Sequence, residues 1–396
     1  MKKAFLIFII SILTILLLTG CWDRKELIEI AIVMAVAIDK DEEGKFIVTS
    51  QIIKPISSQK GVSGSTNNVV MVTSKGDTFL NAVRNNAKKL DRTSFFAHVK
   101  IIVVSEKVAR EGIYEIIDLV SRAPQFRSSI WLLVAKDKKA SEILQIKSGI
   151  EGIQASYLEG IIKGKKINAE IFSARILDII KKIQGEGINP VTGAVKIIED
   201  ESPRVDETGS AVRKSIMLSE TAVFKKDKLV GYLNEAETRA FNIISENTKT
   251  SPIRISSDKD EGKFTSLLIS KIKSDINPHV TNGVISFDIN IKATGDILEV
   301  QDKIDVVDQE EISKLNDKFR RALEKDIEKC IYKTQNELKT DILGFGSTLN
   351  SKYPGEWKKV KEQWDTIFVD IPYTINIETT IKDTGLILKP LITIEK

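Results

Sequence analysis

Two cysteines in 396 residues, one of them at the foot of an apolar leader, leave this chain to hold its shape by packing alone. The pair is Cys21 and Cys330. With Cys21 modified, no intrachain disulfide can form, and stability has to come from buried apolar surface. About 376 residues follow the leader, enough for two or three ordinary domains with sizeable cores.

The leader has three parts. Lys2 and Lys3 come first, an apolar run from Ala4 to Leu18 follows, and Thr19 and Gly20 set small residues against Cys21. That order is the charged region, apolar region and cleavage site of a secretory signal. Leu18, Thr19, Gly20 and Cys21 also match the lipobox of bacterial lipoproteins. The match implies a diacylglyceryl group on Cys21, which becomes the mature N-terminus, with residues 1–20 removed as signal peptide. Two acyl chains at ~0.8 kcal/mol per buried CH2 hold a domain on a bilayer, where one chain is marginal. The competing reading is an uncleaved membrane span. The run from Ala4 to Leu18 falls short of the roughly 20 residues that cross the hydrocarbon core, and Ser11 and Thr14 dilute it.

Composition excludes other attachments. There are 59 basic and 55 acidic residues; without Lys2 and Lys3 the charge falls to about +2, which supports neither nucleic-acid binding nor a polybasic membrane patch. Membrane attachment is expected to come from the lipid on Cys21. No later apolar run approaches spanning length, so the mature body reads as soluble.

Along the chain, Ile28–Ile38 reads as a well-buried strand and Phe46–Ile53 as its hairpin partner across the polar turn at 39–44. Ser57–Asn68 reads as an exposed loop. Strands and helices then alternate: strands at Val69–Thr73, His98–Val104 and Ile130–Ala135, with helices between them. This argues for an α/β-type layer. Helices near 154–163 and 170–183 lead to a strand at Val191–Ile198. Residues 199–214, charged and polar with Pro203 and Gly209, read as a linker. The second half offers strands at Ile216–Phe224, Leu229–Leu233, Phe264–Lys273 and Val284–Thr294. In the last, Ile285, Phe287, Ile289 and Ile291 alternate with polar residues, as a half-buried strand should. One helix is expected from Asp308 to about Leu343, carrying an apolar stripe from Ile312 to Ile342, capped by Asp308 with Glu311 and stopped by Gly344. It would span about 50 Å, long enough that a kink is expected. A closing hairpin is expected from Tyr373 to Ile394. The fold class is therefore α+β, multi-domain, with mixed β-sheets packed against helices and a long helix in the C-terminal half. The divisions are an N-terminal α/β-type domain at 21–198, a linker at 199–214, and a C-terminal α+β domain at 215–396 that is open to subdivision.

A search for chemistry finds little. Only His98 and His279 exist, in different halves, too few for an ordinary zinc site. His98, at the entrance of a β-branched strand, reads as a satisfied structural histidine. No nucleophile elbow or phosphate loop occurs. Gly344-Phe345-Gly346 follows a helix, so its amides are not set to cradle an anion, and it reads as a helix stop. Cys330 reads as a buried, inert thiol. Trp357 and Trp364, seven apart with Phe368 four further on, read as core packing. No catalytic residue, metal ligand or cofactor is assigned.

Several of these stretches together resemble one family. Cys21-Trp22-Asp23-Arg24-Lys25-Glu26-Leu27, Thr49–Pro55, His98–Val104, Ser219–Gly231, Glu237-Thr238-Arg239, Asp341–Gly346, Tyr353-Pro354, Trp357 and Trp364 resemble, in order, the Ger(x)C family of lipoprotein subunits of bacterial spore-germination receptors. The resemblance implies a peripheral, non-enzymatic C subunit on the outer face of the spore's inner membrane. It implies two integral-membrane partners, A-type and transporter-like B-type, and a multi-domain α+β fold with mixed sheets. Only Cys21 carries over as a site residue. The alternative is a solute-binding lipoprotein that delivers a small molecule to a membrane transporter. That would need two similar lobes around a cleft, and no such internal similarity is visible.

Overall fold

The computed structural model describes residues 3–8, 26, 28–53, 69–146, 152–164, 169–205, 211–246, 248, 250–258, 261–301 and 308–383, with the side chains of 200–205 and 211–213 excepted. Leu18, Thr19, Gly20 and Cys21 lie outside the described residues, as do the whole of the expected 57–68 loop and the return strand of the closing hairpin. Residues 3–8 are helical. The described body begins with an antiparallel hairpin, β1 (Ile30–Lys40) and β2 (Phe46–Ile53), extended by β3 (Val69–Gly76). Then come α1 (Phe79–Asn85), β4 (Thr93–Phe95), β5 (Ile101–Ser105), α2 (Glu106–Glu111), α3 (Tyr114–Arg122), β6 (Trp131–Ala135), α4 (Ala140–Gln145) and α5 (Gln154–Gly164). Next are β7 (Ala174–Arg175), α6 (Ile176–Gln184), β8 (Val191–Val205), β9 (Ala211–Lys225), β10 (Lys228–Leu233) and α7 (Glu235–Ile244).

These strands form one mixed sheet in the order β10-β9-β8-β6-β5-β1-β2-β3, with β4 beside β1 and β7 beside β6. The centre, β1, β5, β6 and β8, is parallel, and both flanks are antiparallel. Helices on both faces explain why the central strands are apolar without alternation. Val36, Ile38, Ile102, Val104, Leu132 and Val134 belong to the core shared with α1, α2, α3 and α6. Ala35, Ala37, Ile101, Val103, Leu133 and Ala135 face α4 and α5.

The stretch read as a linker is different in the structure. Glu199 pairs with Lys214 and Val205 with Ala211, so 199–205 and 211–214 continue a two-stranded ladder whose register slips between Glu199 and Arg204. Backbone pairing needs no apolar side chains, which is why a charged, proline-bearing segment can extend a strand. Most of β9 and all of β10 lie beyond that stretch yet belong to the first sheet.

A second sheet follows, ordered β11 (Ser251–Ser256), β12 (Phe264–Thr281), β13 (Val284–Val300), β14 (Tyr373–Asp383). Asn282 and Gly283, both at positive φ, make the two-residue turn between β12 and β13. Phe287, Ile289, Ile291 and Ala293 face the core, and the intervening residues are more exposed. That core face is covered by α8 (Gln309–Tyr332) through Leu315, Phe319, Leu323, Ile327 and Ile331. Asp308 caps α8 by accepting the Glu310 N–H. The helix ends in a widened turn at Lys333–Glu337, short of the expected Leu343. β14 pairs with β13 in parallel, in register from Phe287 against Tyr373. One continuous apolar core runs from the first sheet into the second.

Candidate functional site at the seam of the two sheets

After the widened turn the chain leaves the helix. Leu338 still bonds back to Lys333, but Lys339 sits at φ 48° and the Thr340 N–H returns to the Thr334 carbonyl. This reversal points the Asp341 carboxylate along the backbone ahead of it. It accepts the N–H groups of Gly344 at 2.8 Å, Phe345 at 3.2 Å and Gly346 at 2.8 Å, and the Trp364 Nε1–H at 3.1 Å. Gly344 precedes α9 (Phe345–Lys352). The sequence reading of Gly344–Gly346 as a mere stop is therefore corrected: these residues open a helix, and their amides cradle an anion, the chain's own carboxylate. Asp341 is 1% exposed. Burial pushes its pKa up to about 6, against the pull of the surrounding N–H donors.

The cradle is docked onto the loop between α6 and β8. Gly187 accepts the Ser347 N–H at 2.9 Å, and the Asn189 N–H donates to the Asp341 carbonyl at 2.7 Å. Gly187 sits at φ 70°, and a Cβ there would lie 2.3 Å from the Gly346 carbonyl carbon. Two glycines thus bring two backbones into contact where no side chain fits. The Asn189 side chain accepts the Lys226 N–H at 2.8 Å, tying the loop to the β9–β10 turn. Glu186 accepts the Trp357 Nε1–H at 2.6 Å, which, with Lys361 nearby, holds its carboxyl below the usual range.

A second clasp crosses the same seam. Arg239, on α7, donates to Asp326 of α8 at 2.6 and 3.1 Å and to Glu170 at 2.7 Å. Three turns of sequence logic set this up: Asn234 and Glu237 form a reciprocal cap that starts α7, Arg239 follows on its first full turn, and Asn242 bonds the carbonyls of Ala169 and Ile171.

Aromatic rings fill the space beneath the cradle. Phe345 stacks on Phe287 with centroids 4.4 Å apart, and Trp357 meets Trp364 edge to face at 5.1 Å. Trp357 begins deep in α10 (Pro354–Val360), and Trp364 and Phe368 lie on α11 (Trp364–Val369). All three are buried, as the core-packing reading expects. Cys330 is fully buried and burial pushes its thiol pKa up, in keeping with an inert thiol. His98 is a correction. β5 starts only at Ile101, and His98 stands exposed on the preceding turn with its ring 5.5 Å from Phe95. Main-chain turning at Phe96–Val99 claims those residues before the ladder begins. His279 pairs with Asp288 across the exposed β12–β13 hairpin at 2.9 Å. Among the described residues, no cluster of His, Cys, Asp and Glu is arranged to hold a metal ion, and no helix is long and apolar enough to cross a membrane.

Sequence reasoning names Asp341 and Arg239 only as parts of a resemblance, Gly344 and Gly346 also as a helix stop, and both tryptophans also as core packing. It missed Gly187, Glu186, Asn189 and Glu170. The spacing Gly185-Glu186-Gly187 marks a turn, but nothing local says that the turn docks against a segment some 160 residues away. Together the two clasps match donors to acceptors across a close-packed contact, an arrangement suited to fixing two parts of a chain in one orientation.

Residues 23–197 match the family described as "Spore germination protein N-terminal domain", and residues 219–385 the family described as "Spore germination B3/ GerAC like, C-terminal". Spore germination protein KC of Bacillus subtilis (strain 168) is 27% identical over 402 residues, spanning 99% of this chain and 98% of its own length. Spore germination protein B3 of the same organism is 26% identical over 385 residues, spanning 96% and 98%. Among solved structures, one titled "Crystal Structure of the GerBC protein" superposes with a TM-score of 0.56 at 23% identity, covering 87% of this chain and 96% of that one. At that identity the likeness concerns the fold.

Proposed function

Since the chain belongs to the Ger(x)C family of spore-germination proteins, we propose that it is the lipid-tethered C subunit of a nutrient-germinant receptor, required for the germination response and without catalytic activity of its own. The observation that carries this reading is the end-to-end order of the match: a leader ending at Cys21, then the N-terminal family region from residue 23, then the C-terminal one to residue 385. The exposed apolar side chains of Phe5, Leu6, Ile7 and Phe8 on the described part of the leader are what a signal segment presents to lipid and to its processing machinery.

Mechanistically, lipid on Cys21 confines the folded body to the outer face of the spore's inner membrane. Confinement in two dimensions raises its effective concentration near the integral-membrane A-type and transporter-like B-type subunits. The two clasps then matter because they hold both halves in one orientation, so that a partner meets a single preformed surface. Spores lacking the protein, and spores carrying Cys21→Ala, are expected to lose most of their response to one nutrient set while responding normally to others. The Cys21→Ala protein is also expected to leave the inner-membrane fraction. Normal germination of the deletion spores on every nutrient set would overturn the proposal.

A further inference from the structure

Beneath the clasp, α6 borders a cavity of about 480 Å3, within the size range of small-molecule sites. Arg175, Asp178, Lys181 and Lys182 line it with Phe172 and Ile179. Three cations therefore face one carboxylate. Among the described residues no acidic side chain comes within bridging distance of Arg175, Lys181 or Lys182, although Asp178 lies on the same helix. Arg175 stands at the N-cap of α6 and Lys182 near its C-terminal end, so the two cations border the cavity from opposite ends of the helix. The Arg175 guanidinium carbon lies over the Trp131 ring, 4.9 Å from its centroid, a cation–π contact that holds the cation at the cavity. Lys182 is only half-exposed, its ammonium 5.8 Å from the Phe241 ring centroid, and it also borders the 330 Å3 cavity beside Trp357 and Trp364. Burial draws its pKa below the ordinary lysine value despite Asp178 and Asp341 nearby. A cation held at that depth with no carboxylate in bridging contact is what an incoming anion would neutralise. Phe172 and Ile179 add an apolar wall, both nearly buried.

From this convergence of unpaired cations on a part-apolar cavity, we infer that the α6 cavity binds a small organic anion, its carboxylate or phosphate seated between Arg175 and Lys182 and its apolar body against Phe172 and Ile179. The occupant is a free small molecule, and the site stands independently of the receptor reading because it is tested on the isolated chain. Binding would also stabilise the seam, since α6 leads directly into the loop that holds Gly187.

The test is titration calorimetry on the full-length, detergent-solubilised chain with benzoate, phenyl phosphate and inorganic phosphate as probes, with Trp fluorescence as a second readout. Benzoate or phenyl phosphate is expected to saturate at millimolar concentration or below, and inorganic phosphate to bind at least about tenfold more weakly for want of an apolar body. Lys182→Met and Arg175→Ala are each expected to weaken the bound aryl anion at least about tenfold, whereas Lys182→Arg keeps it within about threefold. Thermal unfolding of each variant separates loss of the site from loss of the fold, and Lys182→Arg with Arg175→Ala decides the matter if Lys182→Met does not fold. No saturable binding of either aryl anion up to about 20 mM overturns the inference. So does binding that the charge-removing variants leave unchanged, or inorganic phosphate binding as tightly as phenyl phosphate.

Discussion

A carboxylate facing four N–H donors in a buried turn is a pH-sensitive element of stability. The folded-state pKa of Asp341, about 6, lies above its ordinary value of 3.8. The unfolded chain therefore gives up this proton first. The stability tied to protonated Asp341 is fully present below the ordinary value and is lost as pH rises through about 6. Denaturant unfolding measured from pH 4 to pH 7 is expected to show that fall, and Asp341→Asn to flatten it. At pH 7 the asparagine amide would also turn donors toward donors, for a loss of about 1–3 kcal/mol. Across from it, Gly187→Ala combines a left-handed backbone with a Cβ driven into the Gly346 main chain. Its expected loss is about 2–4 kcal/mol, read as a lowered denaturation midpoint with unchanged slope. Asp341 could be quoted from the sequence, but its task could not. An Asp three residues before Gly-Phe-Gly is a local pattern, whereas its burial depends on Trp364 and on a loop from the other half.

At the scale of elements, the alternation in β13 and the apolar runs of β1 and β5 were legible because burial on one face or two leaves a direct trace in residue order. The stripe of α8 was equally plain, yet its end was misplaced. Leu338 and Ile342 keep helical spacing and remain largely buried, while Lys339 breaks the backbone ladder. Periodicity reports which side chains face inward, and it does not report where the main chain stops bonding to itself. The extension of β8 and β9 through 199–214 is illegible for the converse reason, a ladder carried through charged sequence. Joining these elements is Arg239, 14% exposed, against Asp326 at 13%. Arg239→Ala leaves two carboxylates facing each other's field without their cation and is expected to destabilise by about 3 kcal/mol. Arg239→Lys should recover less than half of that, because one ammonium cannot serve both carboxylates in the fork geometry. Urea unfolding of the two variants beside the parent chain provides the comparison.

For the whole molecule, a shared core and two clasps argue for one cooperative unit rather than two beads on a string. Cys330 reports on this directly, since it is fully buried on α8 within the core shared by both sheets. Its alkylation by iodoacetamide is expected to track global unfolding, with the labelling midpoint in urea coinciding with that of far-UV circular dichroism. Labelling that precedes the loss of helix would mean that the second half opens alone.

β14 has a consequence for how such a body is made. It is the strand that closes the second sheet, it runs alongside β13 rather than back against it, and some seventy residues including α8 separate the two. If the proposed lipid tether is attached as the chain emerges, β13 still displays an unpaired rim at that point, and the interval before closure is the moment when neighbouring copies on the same membrane zip together by mistake.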